Sequence, residues 1–231
     1  MKPVRLLSGG AAHGLVESVR PAFEATTGRT IDGTFGAVGA MKARLLAGEP
    51  ADLAILSRAL IDELAASGHL VAGSVRDIGA VETAIAVRRG DPLPAVGSAA
   101  ALRLALAAAD EIHFPDPEQA TAGIHFARVM RDLGLWDALG KRLRPAPNGA
   151  TAMRALAAST SGRPIGCTQA TEILSTPGIV VVAPLPPGCD LATTYTVAAT
   201  SRARASTDAA RLIDLVADDS GRVARQRLGF V

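Results

Sequence analysis

Cysteine is scarce: the 231 residues contain two, Cys167 and Cys189. That is too few for a disulfide framework, and without an export signal they read as two reduced thiols. No stretch approaches the roughly 20 uninterrupted apolar residues that span a bilayer, which argues against membrane insertion by a helix. No run of Lys or Arg exceeds two residues and the formal net charge is only +2, so the electrostatic footprint of a nucleic-acid binder is missing. Any anion must be held locally.

Cofactor and metal motifs are missing too. Gly9-Gly10…Gly14 lacks the G-x-G-x-x-G spacing, and no G-x-x-x-x-G-K-[ST] phosphate loop occurs. His13, His69, His113 and His125 have no H-x-x-x-H or C-x-x-C company, which argues against zinc, and there is no G-x-S-x-G elbow. Neither cofactor nor metal is expected. The opening Met-Lys-Pro-Val-Arg-Leu-Leu has one early lysine and a brief apolar run, far short of a secretory signal. From this start the expectation is a cytoplasmic protein, or a periplasmic one if the native N-terminus carries a signal peptide.

What is present is an alternation of short β-branched runs with helical patterns, which points to an α/β fold with mostly parallel sheets joined by crossovers. Strands are expected at Val4–Leu7, Thr30–Phe35 and Asp52–Leu56, each followed by a helix. In the first helix, Ala12–Ala25, the residues Leu15, Val19 and Phe23 share a buried face and Gly28 ends it; Ser57 is the expected N-cap of the third. After a strand at Val81–Arg88 and the Asp91-Pro-Leu-Pro break, a second series begins. It runs through helices at Ser98–Ala109, Ala122–Leu133 and Thr151–Ala158, with strands at Ile112–Phe114, Ile165–Thr168 and Ile179–Val182. The chain returns through Thr193–Ala199 to an amphipathic tail, Thr207–Ala217 and Gly221–Leu228, expected to pack on the first lobe. The division is 1–81 with 199–231 as lobe I, and 82–198 as lobe II.

Four strand-to-helix turns are built from small residues: Ser8-Gly-Gly-Ala-Ala, Gly36-Ala-Val-Gly-Ala, Thr121-Ala-Gly and Asn148-Gly-Ala-Thr. Such turns let a ligand approach the backbone. A helix N-terminus offers unpaired N–H groups and about half a positive charge, so several together make an anion site without lysine or arginine. Small residues also suit tight turns with no ligand at all. Beside these turns stand His13 and His125, candidates for a general base or hydrogen-bond donor or else packing residues. Glu172 is a candidate catalytic carboxylate, or a helix-starting Glu favoured by the dipole.

These turns, in this order, resemble the periplasmic molybdate-binding protein family, the solute receptors of ATP-driven transporters. The resemblance runs nearly end to end. It is carried by Leu45-Leu-Ala-Gly-Glu-Pro-Ala-Asp-Leu-Ala-Ile, Pro115-Asp-Pro-Glu with Thr121-Ala-Gly-Ile, Leu133-Gly-Leu-Trp-Asp-Ala-Leu, Pro164-Ile-Gly and Arg225-Gln-Arg-Leu-Gly-Phe. It implies a two-lobed type II periplasmic-binding-protein fold with the ligand in the cleft between lobes. By position, the implied contacts are Ser8, Gly9, Gly10, Ala37, Val38, Gly39 and Ala40 from lobe I, and Thr121, Ala122, Gly149, Ala150 and Gln169 from lobe II.

The chain departs from the family pattern where Gly10 and Ala37-Val-Gly replace serines and where Gln169 replaces a tyrosine. Missing hydroxyl donors disfavour a tetrahedral oxyanion, at on the order of 1–3 kcal/mol per lost hydrogen bond. The expected ligand is therefore a small organic acid. An alternative implied by aconitate-isomerase-like relatives is a cytoplasmic isomerase of an unsaturated di- or tricarboxylic acid, moving a proton with His13, His125 or Glu172. A sensor that signals by lobe closure is a third class. The only partner expected is the small anion: nucleic acid is excluded, and a start without an export signal argues against a transporter partner.

Overall fold

The computed structural model describes residues 2–203 and 206–231. It divides into two compact units, Met1–Ala80 with Thr193–Val231, and Val81–Ala192. The chain opens with three strand–helix pairs: β1 (Val4–Gly9) and α1 (His13–Thr27), β2 (Ile31–Gly36) and α2 (Val38–Leu46), β3 (Leu53–Ser57) and α3 (Arg58–Ala66). Next comes β4 (Arg76–Arg88), followed by α4 (Ala99–Ala108), β5 (Glu111–Pro115) and α5 (Thr121–Asp132). The series continues with β6 (Leu143–Ala146), α6 (Gly149–Ala158), β7 (Pro164–Gln169), α7 (Ala170–Leu174) and β8 (Ile179–Pro184). The last elements are β9 (Ala192–Ala199), α8 (Ser206–Ala217) and α9 (Arg222–Arg227).

In the first unit β1 lies between β2 and β3, parallel to both, with Val4 opposite Ile31 and Gly9 opposite Gly36. β9 adds on the far side of β3 in the antiparallel sense, Ser57 opposite Tyr195, so the sheet is mixed rather than wholly parallel. Leu6, Leu53, Ile55, Phe23, Ile61 and Leu64 are fully buried, a set that removes enough apolar surface from water to hold the layers together. Leu15 and Phe23 of α1 face inward as their spacing predicts, while Val19 is only half-buried. Gly28 caps α1 at a φ of 65°, the left-handed conformation that favours glycine. The tail helix α8 packs on α1, and Asp208 pairs with Arg29 at 2.6 Å. Ser57 does stand at the N-cap of α3, but its hydroxyl accepts no capping bond.

In the second unit β5 lies between β6 and β7, parallel to both, while β4 is antiparallel to its neighbours β7 and β8. Alternation along β4 feeds two cores. Ile85 and Val87 join Leu106, Phe114, Phe126 and Met130 on one face, and Ala84 and Ala86 join Met153, Leu156 and Ile173 on the other. The edge strand β6, Leu-Arg-Pro-Ala, carries no alternating pattern, and Pro145 is tolerated there because an edge leaves one row of backbone groups unpaired. Cys167 and Cys189 are buried free thiols. Among the described residues no helix is long and apolar enough to cross a membrane.

Candidate functional site

In the first unit, β1 ends in Ser8-Gly9 and passes through a 3-10 turn, Gly10–Ala12, into α1. No side chain caps this turn, α1 or α2, whose N-cap is Ala37. The Ser8 side chain is fully buried and its hydroxyl donates to the Gly9 carbonyl at 2.9 Å. It is therefore committed to its own backbone, which removes it from the set of side-chain donors. Gly9 is hemmed in: a Cβ there would lie 2.8 Å from Val38 Cγ1 and 3.0 Å from Tyr195 Cε1. Tyr195, the sole tyrosine of the chain, thus stands against the first turn. Sequence reading passes over it, because its approach to Gly9 depends on the β3–β9 register. Ala37 and Val38 are buried, Gly39 and Ala40 half-buried. His13 is exposed at the start of α1, with its ring 4.5 Å from that of Phe35 and Nε2 3.9 Å from Glu17.

In the second unit α5 begins at Thr121 with Ala120 as N-cap and no side-chain cap. Gly123 is obligatory, because a Cβ would strike the carbonyl oxygens of Pro115 and Asp116. His125 is buried with both ring nitrogens engaged. Nε2 lies 2.7 Å from the Cys189 carbonyl and Nδ1 lies 3.1 Å from the Arg128 guanidinium. A carbonyl can only accept and a guanidinium only donate, which places the ring proton on Nε2. His125 ties α5 to the segment after β8, and no ring nitrogen is left to move a proton.

Glu172, Gly149, Ala150 and Gln169 come together at the start of α6 and α7. The Glu172 carboxylate accepts from the Thr168 hydroxyl at 2.6 Å and from the backbone N–H groups of Ala150 and Gln169. With Gln169 as N-cap of α7 and Glu172 three residues on, the bond back to the Gln169 N–H is half of a capping box. The bond to Ala150 brings the same carboxylate to the start of α6, which Asn148 also caps by accepting from the Thr151 N–H at 2.9 Å. Gly149 is a glycine because a Cβ would fall on that carboxylate and on the Thr168 hydroxyl. Burial raises the Glu172 pKa to about 7, while the Thr168 hydroxyl and the two N–H groups pull it down. The result is a carboxyl that exchanges its proton near neutrality. The Ala150 N–H, carried over from the family as a ligand contact, is thus occupied by the protein's own acid. Among the described residues no group of three or more His, Cys, Asp or Glu is placed to hold a metal ion.

The architecture has clear relatives. The structure of the periplasmic molybdate-binding protein of Azotobacter vinelandii superposes with a TM-score of 0.80 at 16% identity, covering 99% of this chain and 98% of that one. A sulfate-binding protein from Mycobacterium tuberculosis H37Rv superposes at 0.76 with 16% identity, over 100% of this chain and 86% of the other. These likenesses show the type II periplasmic-binding-protein fold. In sequence, an aconitate isomerase from a Pseudomonas species is 29% identical over 237 residues, 94% of this chain and 86% of that protein. Residues 4–231 match the model of the bacterial extracellular solute-binding proteins, and the chain belongs to that family.

Proposed function

We propose that this solute-binding protein takes a small organic acid, held by main-chain N–H groups at the first turns of its helices. The observation that carries this reading is the inward bond of Ser8: its hydroxyl is committed to the Gly9 carbonyl, and Ala37 and Gly39 have none to offer. A tetrahedral dianion, such as the ligands in the names of the structural relatives, is left short of donors at about 1–3 kcal/mol each. A planar carboxylate needs fewer and suits the N–H groups of a helix first turn. A thermal-shift panel of aconitate, citrate, molybdate and sulfate tests the reading. Stabilisation by the carboxylates supports it, and stabilisation by the inorganic anions alone rejects it.

A second reading, an isomerase acting on an unsaturated di- or tricarboxylic acid, is favoured by the similarity to aconitate isomerase and by a buried carboxyl that titrates near neutrality. Helix N-termini would stabilise the enolate-like intermediate. The proton carrier is then Glu172 or His13, since both nitrogens of His125 are engaged. Incubation with aconitate in heavy water, followed by proton NMR, separates the readings. An enzyme incorporates deuterium and forms the isomer; a binding protein leaves the spectrum unchanged.

A further inference from the structure

We propose that Thr83 is a ligand-binding residue of the second unit, its hydroxyl donating to a carboxylate seated on the N-terminus of α5; the choice of a carboxylate rests on the organic-acid reading. Thr83 is 1% exposed, yet its Oγ1 has no hydrogen-bond partner among the described residues. A hydroxyl buried without a partner destabilises the protein that carries it, and valine offers the same branched shape without that penalty. An orphan of this kind calls for an explanation, and a donor reserved for a ligand supplies one.

The register places it at α5. Thr83 pairs with Gln169 across β4 and β7, and two residues further along each strand Ile85 pairs with Cys167. Ile85 and Cys167 belong to the core that contains Phe114 of β5 and Phe126 of α5. Side chains repeat on one face every second residue, so Thr83 and Gln169 lie on the face that α5 covers. β5 runs parallel to β7, and the Phe126 ring packs 5.8 Å from that of Phe114. α5 therefore starts at the same C-terminal edge of the sheet where Thr83 and Gln169 stand. One segment ties the two together. The Thr83 N–H donates to the Leu191 carbonyl at 2.9 Å, the Leu185 N–H donates to the Thr83 carbonyl at 2.9 Å, and His125 of α5 holds the Cys189 carbonyl between them. The first turn of α5, without a side-chain cap, supplies the N–H groups of Thr121 and Ala122, and Thr83 supplies the hydroxyl.

Thr83→Val and Thr83→Ser, compared with wild type by titration calorimetry against aconitate, molybdate and sulfate and by melting without ligand, test the assignment. The valine variant is expected to melt at the wild-type temperature or above and to bind aconitate about tenfold more weakly, the loss of one hydrogen bond. The serine variant keeps the hydroxyl and is expected to retain the affinity. Unchanged aconitate binding by the valine variant overturns the assignment and leaves the organic-acid reading standing. A melting point several degrees lower without ligand also overturns it, since the hydroxyl would then be structural. If wild type binds molybdate or sulfate but not aconitate, the organic-acid reading falls, and loss of that anion by the valine variant alone still upholds Thr83. Binding of none of the three overturns both.

Discussion

The Glu172 carboxylate fills the space that a side chain on residue 149 would need, so Gly149 and Glu172 form a matched pair joining the starts of α6 and α7. Gly149→Ala is expected to push the carboxylate off the Ala150 N–H and cost roughly 1–3 kcal/mol in urea unfolding. In a Glu172→Ala background the same change should cost less, because the clash with the carboxylate is gone and only that with the Thr168 hydroxyl remains. Equal costs in both backgrounds would contradict the pairing.

Glu172 also sets a pH dependence. Its folded pKa of about 7 lies above the ordinary 4.5, so the folded state holds a proton that the unfolded chain has released. Its contribution to stability is fully present below pH 4.5, falls as pH rises and is lost above about 7. A shift of this size amounts to about 3 kcal/mol. Unfolding free energies between pH 4.5 and 8 should show that decline in wild type and a flatter profile in Glu172→Gln.

Ser8 and Gly9 are neighbours with opposite expected roles. Ser8→Ala removes a bond to the Gly9 carbonyl and should cost about 1 kcal/mol of stability with little change in ligand affinity. Gly9→Ala adds a methyl against Val38 and Tyr195 and is expected to abolish ligand-induced stabilisation, because it displaces the turn the ligand approaches. Melting curves with and without aconitate read both effects.

His125→Ala leaves the Cys189 carbonyl and the Arg128 guanidinium without their partner. Stability should drop by about 1–3 kcal/mol, while any turnover of aconitate per folded molecule persists. Loss of turnover at full stability would restore His125 as a proton carrier.

Local features were legible in the chain, and long-range ones were not. The spacing of Leu15 and Phe23 and the stop at Gly28 announce α1, and the small residues after β1 and β2 announce tight turns into helices, whereas Thr121-Ala-Gly lies inside α5, with five residues between it and the end of β5. Each signal lies within one turn or one helix face. The Glu172 site joins residues 149–150 to 168–172, and His125 meets Cys189 64 positions away; no local pattern encodes either contact. Tyr195 and Thr83 owe their places to strand register, which their own neighbours in sequence do not specify. Ser8 is the instructive case: its place at the strand end is readable, but the inward turn of its hydroxyl appears only in three dimensions.

The most direct test of the organic-acid reading is a calorimetric titration of the intact chain with aconitate and, separately, with molybdate at the same ionic strength. Saturable binding of aconitate and none of molybdate is expected, and at 100 times Kd the bound acid should stabilise the fold by about 2.7 kcal/mol. Saturable binding of molybdate with no heat from aconitate would contradict it and return the main-chain turns to a tetrahedral oxyanion.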